Sequence, residues 1–181
     1  MTIAPQRRIF LINVGDLLRH PGHSREVAFT APVAAVSVLD ASIADGTEAA
    51  VALRLESLND GLTVTGTIAS KWQGSCRRCL EPAAGPLEVN VNEVYSPRPV
   101  SDEVWPLPTD QLDLYPLVSE VLALELPLAP VCRPECQGLC PQCGANRNRV
   151  DCGHRPDAGD RRWAALRDLL PPEAGTGGGV S

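Results

Sequence analysis

The chain has 181 residues, of which 44% are hydrophobic and 21% charged, enough for one ordinary domain with a small appendage. No apolar run approaches the ~20 residues that a membrane-spanning helix needs. The N-terminal apolar run Ile9–Ile12 is also too short for a secretory signal. The sequence therefore predicts a cytoplasmic protein without a membrane partner. Its formal charge of −6 argues against indiscriminate binding to a polyanion.

The first two-thirds of the chain carries the pattern of an antiparallel β-sheet. Near the start, "RRIFLINV" predicts a strand and "VGDLLRH" a short helical turn. Further along, "EAAVALRLESL" and "GLTVTGTIASKW" alternate apolar and polar residues, and the "LNDG" between them suits a tight hairpin turn. A third alternating stretch, "PLEVNVNEVY", follows a Cys-Arg-Arg-Cys turn. Together these stretches predict an antiparallel meander.

A helix is predicted to cover this sheet. The proline-rich stretch "SPRPVSDEVWPLPTD" cannot hold a regular ladder and is predicted to be an exposed loop. The helix follows over 113–125, with Asp113 as its cap and Pro116 in its first turn. Its apolar face is predicted to consist of Leu114, Leu117, Val121 and Leu124.

The end of the chain differs from this core. A second short amphipathic helix is predicted within "DAGDRRWAALRDLL", before a flexible tail over 171–181. The predicted class is α+β, with a sheet-and-helix core over 1–130 and a small cysteine-rich, zinc-binding segment over 131–170. Residues 101–130 contain six acids and no base, whereas residues 131–162 contain six arginines and four acids. The cysteine-rich segment is therefore the basic part of the chain, although so small an excess is also compatible with a merely solvated surface.

The cysteines and one histidine fall into pairs with the spacing of metal ligands. These pairs are Cys76 with Cys79, Cys132 with Cys136, Cys140 with Cys143, and Cys152 with His154. In a reducing compartment, such clusters indicate metal or redox sites rather than disulfides. Tetrahedral structural zinc takes four thiolate or imidazole ligands, so eight donors predict two zinc ions. The most specific motif is "CPQCG", in which glycine permits a tight turn around the metal.

Two partitions of these donors are compatible with the spacing. In the first, the predicted helix returns Cys132 and Cys136 to Cys76 and Cys79, and residues 140–154 close the second site. In the second, a single site combines Cys132 or Cys136 with Cys140, Cys143 and Cys152, leaving Cys76 and Cys79 free. A redox role for that free pair is the alternative, but the flanking pattern is strand, turn, strand rather than the strand and helix of a thioredoxin-like motif.

Several segments together resemble one family. "SCRRCLEP", "LDLYPLVSEVLALELPLAPVC", "CQGLCPQCGANRN" and "DRRWAALRDLL" resemble, in order and spacing, the YceD family of large ribosomal RNA subunit accumulation proteins. "INVGDLLRHPGHSREVAF" is similar to the opening of its members, so the resemblance covers nearly the whole chain. Some members of the family lack "GLCPQCG" but keep a cysteine pair like Cys76 and Cys79 and a His/Cys pair where Cys132 and Cys136 stand, which favours the first partition. The chain departs from the family pattern at Arg147, where leucine is usual, and at Cys152 and His154, where many members have two cysteines.

The resemblance implies a protein without catalytic activity that supports accumulation of large-subunit ribosomal RNA by binding that RNA or a pre-ribosomal particle. No small-molecule substrate is expected. If the zinc segment faces RNA, the phosphate contacts are predicted to come from Arg133, Arg147, Arg149, Arg77 and Arg78. Two other function classes remain open at this point: a zinc-stabilised adaptor that binds protein through the acidic loop 101–113, and a thiol enzyme that uses Cys76 and Cys79.

Overall fold

The computed structural model describes residues 5–154 of the chain. The chain divides into two compact units, Met1–Cys136 and Gln137–Ser181. The three-part organisation predicted from the sequence stays a prediction. The predicted C-terminal helix and the tail 171–181 lie outside the described residues. Within residues 5–154, no helix has both the length and the apolar character that crossing a membrane requires.

The first unit is built mainly from strands, with helices before and after them. In chain order, its elements are a 3-10 helix Pro5–Phe10, β1 Leu11–Asn13, α1 Gly15–Leu18, β2 Ser24–Pro32, β3 Val36–Val38, β4 Ala41–Ile43, β5 Glu48–Leu58, β6 Gly61–Ser75, β7 Pro82–Ser96, β8 Val104–Pro106, β9 Gln111–Asp113 and α2 Tyr115–Glu125. The predicted α+β class is confirmed, with a largely antiparallel, mixed sheet and two α-helices in the described residues.

The centre of the sheet is the predicted meander of β5, β6 and β7. Leu58 pairs with Gly61 across the predicted hairpin turn. Glycine is required there because its φ is +152° and a Cβ atom would lie 2.0 Å from the backbone oxygen of Tyr95. The next hairpin stays paired as far as Ser75 and Pro82, so only residues 76–81 form its tip. This long hairpin carries the tip well beyond the end of β5.

The remaining strands extend the meander on both sides. β2 pairs antiparallel with β5, and β4 joins β3 to the far end of β6. β8 pairs in parallel with β7, while β1 and β9 form a separate two-stranded sheet. The predicted exposed loop is therefore wrong in part, because Val104–Pro106 forms a strand. The Trp105 ring stacks on Tyr95 at 5.8 Å and its Nε1 donates to Glu93, and these contacts stabilise so short a strand.

The prediction of an N-terminal strand over "RRIFLINV" is also wrong in part. Pro5–Phe10 forms a 3-10 helix, and the strand contains only Leu11–Asn13. The reason lies in Phe10, which is fully buried and makes edge-to-face contacts with Phe29 and Tyr115 at 5.4 and 5.3 Å. The predicted helical turn after it is confirmed as α1.

Helix α2 packs on the sheet as predicted, but with a different buried face. Leu114, Leu117, Val118 and Leu122 are fully buried, whereas Leu124 is 77% exposed. The predicted use of Leu124 is therefore wrong, and Val118 takes part in the core instead. At the start of the helix, Asp113 Oδ1 accepts a hydrogen bond from the Tyr115 N–H at 3.0 Å. The alternating apolar residues of β5 and β6 provide the opposite side of this core.

Candidate metal centres

The first centre lies at the tip of the β6–β7 hairpin. Cys76 and Cys79 are both buried in this tip, and the segment after α2 contributes Cys132 and Cys136. That segment is held to the hairpin by its backbone, because the Arg77 N–H donates to the Pro130 carbonyl at 2.9 Å. The chain thus returns to the hairpin tip at Cys132, which is 53 residues after Cys79.

The four sulfurs of the first centre have the spacing of a tetrahedral metal site. Cys76 Sγ lies 3.8 Å from Cys136 Sγ, and Cys79 Sγ lies 3.7 Å from Cys132 Sγ. All four sulfurs lie within 4.8 Å of one another. A tetrahedron with metal–sulfur bonds of ~2.3 Å has edges of about 3.8 Å, whereas a disulfide needs ~2.05 Å. The group can therefore hold one metal ion.

Two arginines of the hairpin tip hold the second pair of ligands in place. The Arg78 guanidinium donates through Nη1 to the carbonyls of Pro134 and Cys136, at 3.2 and 3.1 Å. Arg77 donates to the Leu128 carbonyl at 3.4 Å, and its Nε lies 3.6 Å from Asp40 Oδ2. Both arginines were predicted RNA contacts, and the structure gives both intramolecular partners. No sequence pattern indicates these contacts, because they depend on the fold returning residues 128–136 to the tip.

The electrostatics of the first centre favour a bound cation. Burial raises the pKa of the Cys76 thiol, but the backbone N–H groups of Cys132, Cys79 and Arg78 outweigh burial and lower it to about 6. Cys132 is exposed as a residue, yet desolvation of its sulfur raises its pKa to about 12, with hydrogen bonding to Cys136 adding to the increase. One thiolate thus opposes ionisation of the next. A bound metal cation offsets this repulsion between thiolates. Its binding releases protons and therefore weakens at low pH.

The second centre lies entirely within the second unit. It groups the donor atoms of Cys140, Cys143, Cys152 and His154 within 4.8 Å of one another. Cys140 Sγ lies 3.8 Å from His154 Nδ1. Only Cys140 is buried, whereas Cys143 and His154 are exposed. This group can also hold a metal ion, but in a more accessible site than the first.

The loop around the second centre is ordered by its own polar contacts. Leu139 and Asn146 form an isolated antiparallel bridge, and the Arg147 N–H donates to the Gly138 carbonyl at 3.0 Å. The Gln137 N–H donates to Asn148 Oδ1 at 2.9 Å. The backbone N–H groups of Cys143 and Gln142 lower the pKa of the Cys140 thiol to about 6. The site is therefore prepared to provide at least one thiolate at neutral pH.

Both Cys-x-x-Cys motifs adopt the same backbone turn. In the first, the Leu80 N–H donates to the Cys76 carbonyl and the Cys76 N–H to the Glu81 carbonyl, each at 2.8 Å. In the second, the Gly144 N–H donates to the Cys140 carbonyl and the Cys140 N–H to the Ala145 carbonyl, also at 2.8 Å. Leu80 and Gly144 both have positive φ, +62° and +73°. The shared Cys-x-x-Cys spacing was visible in the sequence. The structural equivalence of Gly144 and Leu80 was not, because glycine and leucine have very different backbone preferences.

The other predicted RNA contacts lie beside the metal ligands. Arg133 follows Cys132 in the first unit and is exposed. In the second unit, Arg149 is exposed and Arg147 is half-buried. A role in RNA binding stays a prediction for all three.

The fold and these two groups define a β-sheet protein with two cysteine-rich centres, each able to hold a metal ion. Residues 64–170 match the model of the family described as Large ribosomal RNA subunit accumulation protein YceD. The chain belongs to the YceD family, as its motifs predicted.

Known relatives cover most of this chain. An uncharacterized protein of Mycobacterium tuberculosis is 36% identical over 173 residues, which are 91% of this chain and 83% of that protein. An uncharacterized protein of Mycobacterium leprae is 32% identical over 171 residues, which are 90% and 78% of the two chains. The uncharacterized protein YlbN of Bacillus subtilis is 28% identical over 109 residues, covering 58% and 63%. No solved structure gives a significant match.

Proposed function

We propose that the protein is a non-catalytic ribosome-biogenesis factor that supports the accumulation or processing of large-subunit ribosomal RNA in the cytoplasm. Membership of the YceD family carries this proposal, because the family's description names the accumulation of that RNA and no chemical reaction. The protein would act by binding the RNA or a pre-ribosomal particle. No small-molecule substrate is part of the proposal.

Both centres are proposed to hold zinc as a structural ion. Four thiolates in the first centre, and three thiolates with one imidazole in the second, are complete ligand sets for tetrahedral zinc. A complete set leaves no open position for a substrate or an activated water, which supports a structural rather than a catalytic role. The grouping of four sulfurs also argues against a thiol enzyme, which would need Cys76 and Cys79 free of metal.

The protein purified without chelator is expected to carry about two zinc ions per chain, because eight donors form two complete sites. Elemental analysis, with the protein concentration determined by amino-acid analysis, measures the ratio. A value near one would contradict the two-site assignment. A folded protein without metal would contradict the zinc assignment itself.

Contacts to RNA are proposed for Arg133, Arg147 and Arg149, each within a few residues of a metal ligand. A metal-held loop keeps a guanidinium in a defined position, which reduces the entropy lost on binding a phosphate. The proposal is not extended to Arg77 and Arg78, because their side chains already position the first centre. The rest of the chain is acidic and would disfavour promiscuous contacts with RNA.

Deletion of the gene is expected to lower mature large-subunit RNA relative to small-subunit RNA. The wild-type gene should restore the ratio, and a variant with Arg133, Arg147 and Arg149 replaced by alanine should not. A matched control replaces three exposed arginines of the first unit that are more than fifteen residues from any metal ligand in the sequence, Arg19, Arg25 and Arg98, and should restore the ratio fully. The measurement is the ratio of the two RNAs at equal protein levels.

Binding to purified large-subunit RNA separates direct contact from an indirect effect. Each lost phosphate contact should lower the slope of log affinity against log salt by about one. A deletion strain with a normal RNA ratio would contradict the proposed function. Rescue by the triple variant would contradict only the assignment of these arginines, and would favour a zinc-stabilised adaptor that acts through a protein partner.

A further inference from the structure

Two leucines in the first unit adopt a backbone conformation that disfavours leucine. Leu39 and Leu80 have φ values of +51° and +62°, and no other non-glycine residue among residues 5–154 has a positive φ. This left-handed conformation is costly for a branched, bulky side chain and is usually taken by glycine, asparagine or aspartate. The corresponding position in the second Cys-x-x-Cys turn is indeed a glycine, Gly144.

The same two side chains are also exposed to solvent. Leu39 is 73% exposed and Leu80 is 68% exposed, so neither side chain contributes to the core. Glycine or asparagine at either position would relieve the backbone and remove an apolar group from water. Two unfavourable features, a positive φ and an exposed apolar side chain, therefore coincide at each position. Backbone strain of this kind is typical of functional sites.

Both leucines lie beside the first metal centre. Leu80 directly follows the ligand Cys79, and Leu39 precedes Asp40, whose carboxylate contacts Arg77. A third exposed leucine, Leu128, is 62% exposed and its carbonyl accepts a hydrogen bond from the same Arg77. Arg77 thus contacts the segments of Leu39 and Leu128, and it lies in the same hairpin tip as Leu80. We refer to Leu39, Leu80 and Leu128 as the leucine surface.

We propose that the leucine surface is a docking site for a protein segment that presents apolar side chains flanked by carboxylates. The apolar part of the segment would cover the three leucines. The carboxylates are indicated by Arg78, whose charge has no carboxylate within ion-pair distance in the described part of the chain, since its partners are two neutral carbonyls. The leucine surface includes none of the arginines proposed above to contact RNA, and this proposal does not depend on them.

Two other occupants fit the surface less well. RNA is recognised by cations, hydrogen bonds and aromatic stacking, and three leucines offer none of these. A second copy of the chain would bind through a two-fold contact, in which the same patch meets itself. Such a contact centred here would oppose Arg77 and Arg78 with their own copies, which repel one another. An acidic, apolar partner segment matches both the three leucines and the charge of Arg78.

The test is selection from a displayed library of random 16-residue peptides on the zinc-loaded, full-length protein. Recovered peptides are expected to combine large apolar residues with aspartate or glutamate. Their affinity, measured by fluorescence anisotropy, should fall by about tenfold or more for the double variant Leu39→Asn and Leu80→Asn. The same variant should melt at least about 2 °C higher, because asparagine tolerates the left-handed conformation. A loss of binding through unfolding is thereby excluded.

Two controls restrict the interpretation. Leu58→Asn changes a leucine that is 40% exposed at the opposite end of the meander, and it should leave peptide affinity unchanged. Peptides with their acidic residues replaced by the amides should bind more weakly and lose their salt dependence. Recovery of no such peptides, or equal binding to the double variant, would overturn the proposal. So would a double variant that loses RNA binding, or one that dissociates a dimer of the protein.

Discussion

Serine at both Cys76 and Cys79 is expected to remove one zinc ion and to destabilise the whole first unit. The four ligands of this centre join the β6–β7 hairpin to the segment after α2, and three of the four cysteines are buried. A metal that binds only the folded state stabilises it by ~4 kcal/mol when free metal is a thousand times its Kd. We expect a loss of that order in the free energy of unfolding. Urea titration with zinc present throughout measures it.

The matched comparison for this variant is the replacement of Cys140 and Cys143 by serine. It should also remove one zinc ion, but amide exchange in β5, β6 and β7 should remain as slow as in the wild type. The physical reason is that the core of the sheet is formed by residues of the first unit, all of them before Cys140. Faster exchange throughout the sheet in this second variant would show that the second centre is part of the same cooperative unit, contrary to expectation.

Alanine at Gly66 is expected to destabilise the fold by about 3–5 kcal/mol. Gly66 lies in the middle of β6 between Leu53 of β5 and Val91 of β7, with a φ of +142°. A Cβ atom there would lie 2.2 Å from the Ala52 carbonyl oxygen and 2.9 Å from the Leu53 Cα. Both are backbone atoms of a paired strand, so neither can move without breaking the ladder. The midpoint of urea unfolding reports the loss.

Gly46→Ala provides the control for this prediction. Gly46 also has a positive φ, +76°, but a Cβ atom there would meet nothing within 4 Å. Its replacement should cost only about 1 kcal/mol, from backbone strain alone. Equal losses for the two variants would mean that strain rather than the close approach of strands determines the cost at Gly66.

The strands that could be predicted from the sequence are those with one buried and one exposed face. β5, β6 and β7 alternate because one side of each packs against the core, and a period of two is then visible along many residues. β3, β4, β8 and β9 have three residues each, too few to establish a period. The 3-10 helix was missed because its core residue Phe10 is held by ring contacts with residues far along the chain.

For the candidate metal centres too, the sequence revealed local features and not those that depend on the tertiary structure. Spacing alone identified the four pairs of donors, because ligands at short separation are a local property of the chain. The choice between the two partitions depends on where α2 returns the chain, which is a property of the tertiary structure. The structure groups Cys76 and Cys79 with Cys132 and Cys136. The role of Arg78 could not be found at all, since its partners are backbone carbonyls that any residue at 134 and 136 would provide.

The sequence separation between the ligand pairs of the first centre determines how long this site stays incomplete during synthesis. Cys79 and Cys132 are 53 residues apart, and Cys76 and Cys136 are 60 apart. At the usual rate of translation, a nascent chain needs about 3–12 s to add that many residues. The hairpin tip therefore waits for several seconds with two of its four ligands, whereas the donors from Cys140 to His154 are complete almost as soon as they are made. The first centre is thus the one whose ligand set stays incomplete for longer during synthesis, and a shortage of zinc would leave newly made chains open at the hairpin.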